Sequence, residues 1–246
     1  MSLLDPDVLF RVVDVTGVFA NGLIGGAVAR SKGFDAIGFI ILAISSALGG
    51  GMIRDLMLGV SFPVALTDPL YLSTAVAAAA VAFLLDLDGQ WKRLLSVADV
   101  LALGCWSATG ASKAMAAGLG FMPSVMLGVI TAIGGGMLRD IMVNKVPGVF
   151  GGGPLYATLS IVASGQMVVL YQMGQHQLGM GLAITLCCVF GLMAQKRNWM
   201  LPSAADLVIR TPQIPAARFP WSKRWEGRRA GGTPGVEAAV EPDADQ

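Results

Sequence analysis

Arginine and aspartate occur side by side twice in this chain, as Arg54-Asp55 and Arg139-Asp140, and both pairs lie in long apolar runs. Ionisable groups at membrane depth are costly, so they face a protein interior or water and find partners. Such groups clamp helices together, snorkel to an interface or line a solute path. Neighbouring residues on a helix project about 100° apart, so neither arginine is expected to pair neatly with its own neighbour. A crossed pairing, Arg54 with Asp140 and Arg139 with Asp55, is one geometry open to them. Asp14 and Asp99 stand near the starts of two other apolar runs. A carboxylate there caps a helix, pairs between helices or forms part of a cation route. Lys113 shares its run with Asp99 and has Thr109 and Ser112 on nearby faces. It would repel cations in a closed state, hold a lipid headgroup or snorkel outward.

A glycine triplet precedes each pair: Gly49, Gly50 and Gly51 in one run, Gly134, Gly135 and Gly136 in the other. Glycine in a helix interior costs about 1 kcal/mol relative to alanine, so each triplet is expected to loosen or break its helix. A mid-membrane break frees carbonyl and N–H groups that lipid cannot satisfy, which directs it toward protein or a water-filled cavity. The half-helix ends would favour a cation at one terminus and an anion at the other. Close approach of neighbouring backbones is the competing reading.

Other chemistry has little support. No nucleophile–base pair is evident, and Gly151-Gly152-Gly153 lacks the Gly-Lys-Ser/Thr ending of a phosphate loop. Cys105, Cys187 and Cys188 sit in apolar runs, where thiols act as small packing groups. His176 has no second ligand nearby, so neither a metal site nor a cofactor is expected. The net charge of +1 and the absence of any nucleic-acid motif leave a polyanionic partner unsupported. The chain reads as a non-enzyme.

The elements that must position these residues follow from the hydropathy. Hydrophobic residues make up 54% of the 246 residues and charged ones 13%, against about 25% charged in a soluble domain. Mean hydropathy is +0.67. Seven apolar spans are predicted over Val8–Ala29, Phe34–Leu58, Leu70–Leu87, Leu94–Ala117, Phe121–Val143, Leu155–Met173 and Leu178–Ala194. Runs of about 18 or more apolar residues can cross a hydrocarbon core roughly 30 Å thick. Arg30, Lys32, Lys92, Arg93, Lys145, Lys196 and Arg197 fall in the odd-numbered connections, and the even ones hold neither Lys nor Arg. That bias places the N-terminus outside and the C-terminus in the cytoplasm. The start of the chain lacks a basic flank, so the first span is read as retained. From Trp199 to Gln246 the composition turns to Pro, Arg, Ala and Gly. That cytoplasmic tail is expected to be mobile, its stretch Arg218–Arg229 solvated or touching anionic lipid.

The sequence also repeats itself. Gly49-Gly50-Gly51-Met52-Ile53-Arg54-Asp55-Leu56-Met57 matches Gly134-Gly135-Gly136-Met137-Leu138-Arg139-Asp140-Ile141-Met142, 85 residues on. The same offset pairs Asp14 with Asp99, Gly25 with Gly110, and Pro69-Leu70-Tyr71 with Pro154-Leu155-Tyr156. Lys113, by contrast, pairs with Val28 and so has no basic counterpart. The expected organisation is a three-helix unit over 8–87, a second over 94–173, a seventh helix over 178–196 and the tail over 199–246. Three is odd, so the second unit would be inverted relative to the first. This all-α, 3+3+1 pattern is typical of proteins that move solutes along a central path.

The duplicated GGGM[IL]RD[LI]M sequence in a seven-span arrangement resembles the prokaryotic branch of the trimeric intracellular cation (TRIC) channel family, across about Val8–Lys196. The same bacterial domain carries a glycine-transporter label. The resemblance implies a homotrimer in a plasma membrane, each subunit holding its own pore. Potassium, or sodium, would pass between second and fifth helices kinked at their glycine triplets, with bound lipid alongside. Animal members carry a basic lipid-binding motif in the fourth span, where this chain has Lys113 alone. A secondary carrier for glycine or another small zwitterion is the alternative, its opposed half-helix ends holding carboxylate and ammonium. A scaffold without transport is the blandest reading.

Overall fold

The computed structural model describes residues 6–59, 61–85, 90–150, 155–197 and 199. They form eight α-helices and one 3-10 turn (Gly148–Phe150) with no strand among the described residues. In chain order the helices are α1 (Pro6–Ser31), α2 (Ala36–Leu58), α3 (Val64–Thr67), α4 (Pro69–Leu84), α5 (Gln90–Ala116), α6 (Phe121–Met142), α7 (Tyr156–Gln172) and α8 (His176–Arg197). The expected tail beyond Trp199, with its basic stretch, and the Gly151–Gly153 run lie outside the described residues.

Local chemistry sets several of these ends. The Asp35 carboxylate accepts from the Gly38 N–H at 2.8 Å and caps α2. Gly59 closes α2 in the left-handed region at φ 61°, its N–H donating to the Asp55 carbonyl at 3.1 Å. Asp68 caps α4 through the Leu70 N–H at 3.0 Å, with Pro69 at the first helical position. Asp68 also pairs with Arg11 of α1 at 2.6 Å. The short α3, between α2 and α4, has no counterpart among the seven expected spans; four residues are too few to give a periodic signal.

Five helical segments are long and apolar enough to cross a membrane: Phe10–Ser31, Ala36–Leu58, Arg93–Ala116, Phe121–Met142 and His176–Arg197. The shorter α4 is also apolar. Large side chains such as Leu56, Leu84, Met122 and Ile161 lie exposed on the outside. The interior uses small ones instead, with Ala43, Ala75, Ala78, Ala108, Ala111 and Ala163 fully buried. In water this arrangement would be unfavourable, whereas in lipid it lets helix backbones approach while bulky residues meet acyl chains.

The glycine triplets do not break their helices. α2 runs unbroken through Gly49–Gly51 and α6 through Gly134–Gly136. A Cβ on Gly50 would overlap the Thr131 carbonyl, and a Cβ on Gly135 would overlap that of Ser46. One on Gly134 would lie 2.9 Å from Gly50 Cα, and one on Gly49 2.5 Å from Leu138 Cδ1. The missing side chains therefore let α2 and α6 cross backbone to backbone. Lipid offers no partner for a freed N–H or carbonyl, so keeping the helical ladder outweighs the propensity cost of glycine.

Candidate functional site

Two cavities with charged side chains in their walls adjoin the crossing helices. The first, about 160 Å³, is lined by Asp14 of α1, Gly50, Gly51, Arg54 and Asp55 of α2, Tyr71 of α4, and Trp106, Thr109 and Lys113 of α5. Thr131 and Gly135 of α6 complete that wall. The second, about 430 Å³, is lined by Asn21 of α1, Asp99 of α5, Gly136, Arg139 and Asp140 of α6, Lys145 and Tyr156. Ten positions of the first lining have their counterpart 85 residues on in the second: 14 with 99, 18 with 103, 47 with 132, 48 with 133, 51 with 136, 52 with 137, 54 with 139, 55 with 140, 64 with 149, and 71 with 156. A further space of about 420 Å³ adjoins the first cavity through Asp14, Tyr71 and Thr109 and carries Arg11.

The arginines pair with their own neighbours. Arg54 Nε donates to Asp55 Oδ1 at 2.8 Å, and Arg139 Nε to Asp140 Oδ1 at 3.0 Å. The crossed pairing expected from helical projection does not form. The arginine stem is long and swings back over the preceding turn, which lets its Nε meet the carboxylate of the next residue. The residue three earlier is a glycine in both cases. A Cβ on Gly51 would stand 3.7 Å from Arg54 Nη2, and one on Gly136 3.6 Å from Arg139 Nη2. These are ordinary van der Waals distances, so the third glycine of each triplet is not needed for the pairing, while the first two make the crossing.

Asp55 collects further partners. Its Oδ2 accepts from the Val64 N–H at 2.9 Å, and Lys113 Nζ lies 3.5 Å from its Oδ1. Arg54 and Asp55 are buried, whereas the Lys113 side chain is 37% exposed. Lys113 therefore belongs to the first cavity and points at an acid of α2.

Asp14 and Asp99 lie inside helices α1 and α5 and cap no helix N-terminus. Asp14 accepts from Tyr71 Oη and from Trp106 Nε1, the latter at 2.7 Å, which joins α1, α4 and α5. Asp99 accepts from Asn21 Nδ2 at 3.1 Å, joining α5 to α1. Of the sequence candidates, Gly49 and Gly134 sit in the crossing and the others line one or other cavity. Sequence reasoning assigned no role to Tyr71, Tyr156, Trp106 or Asn21. The tyrosines were signalled by their duplication. Trp106 and Asn21 occupy equivalent positions and both donate to a repeated aspartate, but their types differ, so no match could reveal them.

Each cavity holds two carboxylates and two basic side chains, a neutral balance that suits transient contact with small charged species. No group of three or more potential metal ligands occurs among the described residues.

An apolar-surfaced helical bundle with charged cavities inside it is an integral membrane protein. The profile of a family described as glycine transporter matches residues 11–86 and again 96–172, and the chain belongs to that family. It is 33% identical over 193 residues to a UPF0126 membrane protein of Deinococcus radiodurans, covering 76% of this chain and 88% of that one. The UPF0126 membrane protein YvgT of Bacillus subtilis is 27% identical, with 79% and 96% covered. Among solved structures, a TRIC cation channel studied for its conductance superposes with a TM-score of 0.74 at 28% identity, covering 82% of this chain and 99% of that one. The TRIC trimeric intracellular cation channel orthologue from Rhodobacter sphaeroides gives 0.70 at 26%, covering 78% and 99%. The fold is that of the TRIC channels.

Proposed function

We propose that this protein is a monovalent cation channel of a plasma membrane, with potassium as the main permeant ion and a homotrimeric assembly in which every subunit has its own path. Seven helices would span the bilayer as two inverted three-helix units plus α8, with the N-terminus outside and the C-terminus cytoplasmic. The path would run from the space beside Arg11 and Asp14 into the first cavity, past the α2–α6 crossing, and out through the second cavity. The observation that carries this reading is the pair of charged cavities, lined at matching positions, beside one close crossing of α2 and α6 at the glycine triplets. Carbonyls of Ser46 and Thr131 border that crossing and are oxygen ligands of the kind cations favour. The likeness to solved TRIC cation channels supports the same class.

One feature favours a second reading, a carrier for glycine or another small zwitterion. Acids and bases stand together in both cavities, and the tight crossing between them would act as a barrier reached alternately from each side. Purified protein in planar bilayers with asymmetric potassium chloride separates the two. Discrete current steps reversing near the potassium equilibrium potential support the channel. Silent bilayers, together with saturable and competable glycine uptake into proteoliposomes, would replace it with the carrier.

A further inference from the structure

α8 lies beyond both segments matched by the family profile, yet it reaches the wall of the second cavity through one side chain. Gln195 Oε1 accepts from Ser96 Oγ of α5 at 2.6 Å, and Gln195 Nε2 donates to Tyr156 Oη of α7 at 2.6 Å. Ser96 is one turn before Asp99 on α5, and Tyr156 lines the same cavity as Asp99. The amide therefore spans two helices and uses both of its ends.

Its chemistry fixes a direction. The NH2 group of glutamine can only donate, so the tyrosine oxygen receives from it and must send its own proton elsewhere. Asp99, on the same helix as Ser96, is a carboxylate of the same cavity. Two donors thus point one way, Ser96 to Gln195 and Gln195 to Tyr156, and leave the Tyr156 proton for the cavity that Asp99 lines. Asn21 supplies a donor to the Asp99 carboxylate. In the first cavity Tyr71 donates straight to Asp14, and among the described residues no side chain plays the part of Gln195. The two cavities are alike in their acids and tyrosines and unlike in what orients the tyrosine.

We infer that Gln195 is a positioning residue for the second cavity: it holds the Tyr156 hydroxyl toward Asp99, and so couples the seventh long helix to the charge that permeating ions meet. The inference rests on the second cavity being part of the proposed path. Close packing of α8 on α5 supplies the rigid support such a role needs, since a Cβ on Gly191 would lie 2.6 Å from Val100 Cγ1 and one on Gly104 2.6 Å from the Ala183 carbonyl.

A double-mutant cycle on the full chain tests it, reading single-channel conductance at both polarities. Gln195→Leu and Tyr156→Phe should each change the ratio of inward to outward conductance in the same direction, by about fivefold, the factor one ordinary hydrogen bond represents. The double variant should match either single one. Combining Gln195→Leu with Tyr71→Phe should instead give the product of the two effects, because Tyr71 serves the other cavity. Gln195→Glu, which offers Tyr156 an acceptor and competes with Asp99 for its proton, should exceed Gln195→Leu. Unchanged conductance in Gln195→Leu, or multiplying effects of Gln195→Leu and Tyr156→Phe, overturns the inference. A lowered melting temperature as the sole change would leave Gln195 a packing residue, which overturns it too. If the wild type passes no current, the channel reading fails separately, and the link is read by infrared difference spectroscopy. The carboxyl bands of Asp99, assigned with Asp99→Asn, should then shift alike in Gln195→Leu and Tyr156→Phe; bands that stay in place in Gln195→Leu overturn it.

Discussion

Lys113 and Asp55 face each other at 3.5 Å although they come from helices far apart in the chain, α5 and α2. The same carboxylate oxygen already receives Arg54 Nε at 2.8 Å. One negative oxygen thus stands between two positive groups on the wall of the first cavity. Arg54 and Asp55 are buried, whereas Lys113 is the partly exposed member of the three.

Removing the shared acid is therefore expected to be severe. Asp55→Asn leaves Arg54 buried beside Lys113 with no countercharge and should destabilise the protein by about 3–5 kcal/mol. Retention of the folded species on size-exclusion chromatography after graded heating in detergent measures this. Lys113→Gln, in contrast, should fold normally and raise unitary cation conductance by roughly two- to fivefold, because one ammonium no longer opposes cations in the cavity. Unaltered conductance in that variant would remove Lys113 from the path.

The glycine triplets should divide by position. Gly50→Ala and Gly135→Ala place a methyl group on an opposing carbonyl and should cost about 1–3 kcal/mol or prevent assembly of the folded subunit. Gly51→Ala and Gly136→Ala meet only an arginine tip at 3.7 and 3.6 Å. They should be neutral or stabilising by up to about 1 kcal/mol through helix propensity. Equal losses at all four positions would contradict the division.

The clamp at Asp14 predicts a third pattern. Tyr71→Phe and Trp106→Phe each remove one donor from a carboxylate that joins three helices, and each should cost about 1–3 kcal/mol. Asn21→Leu, at the position equivalent to Trp106, should have an effect of similar size at Asp99. Chemical denaturation in mixed micelles provides the comparison.

Arg30 offers a test away from the cavities. Its Nη2 donates to the carbonyls of Ala82, Phe83 and Leu85 at 2.9, 2.6 and 3.3 Å, closing the C-terminal end of α4. Arg30→Ala should fray that end and speed amide hydrogen exchange over the last turn of α4, with a stability loss of about 1–2 kcal/mol. Arg30→Lys should restore part of the protection.

Much of the architecture was legible because lipid simplifies the reading. Apolar runs and loop bases gave helices close to those observed, such as Phe121–Met142 for a span expected at Phe121–Val143. The two Arg-Asp pairs, Asp14 and Asp99 were legible from their depth and duplication, Lys113 from its depth alone, and Lys145 only as a loop base. What misled was arguing from single helices. Propensity predicted a break at the triplets, and projection predicted that Arg54 would not reach Asp55; the first argument omitted the opposing backbone, and the second the length of the arginine stem. The hydrogen bonds of Trp106, Asn21 and Gln195 depend on which helices become neighbours, and nothing local in the chain encodes that. The seven-span count, the inversion and the orientation remain part of the proposal.

The α2–α6 crossing also has a kinetic meaning. Where Gly50 meets Thr131 and Gly135 meets Ser46, both surfaces are main chain, so there is no rotamer to turn. Nanosecond side-chain flips can alter the cavities, where Lys113 has a flexible stem, but they cannot change the separation of the two backbones at the crossing. Any widening there has to shift whole helices, which belongs to the microsecond-to-millisecond range. Along the proposed path, fast flicker and slow opening in a current record would therefore originate at different depths of the same subunit.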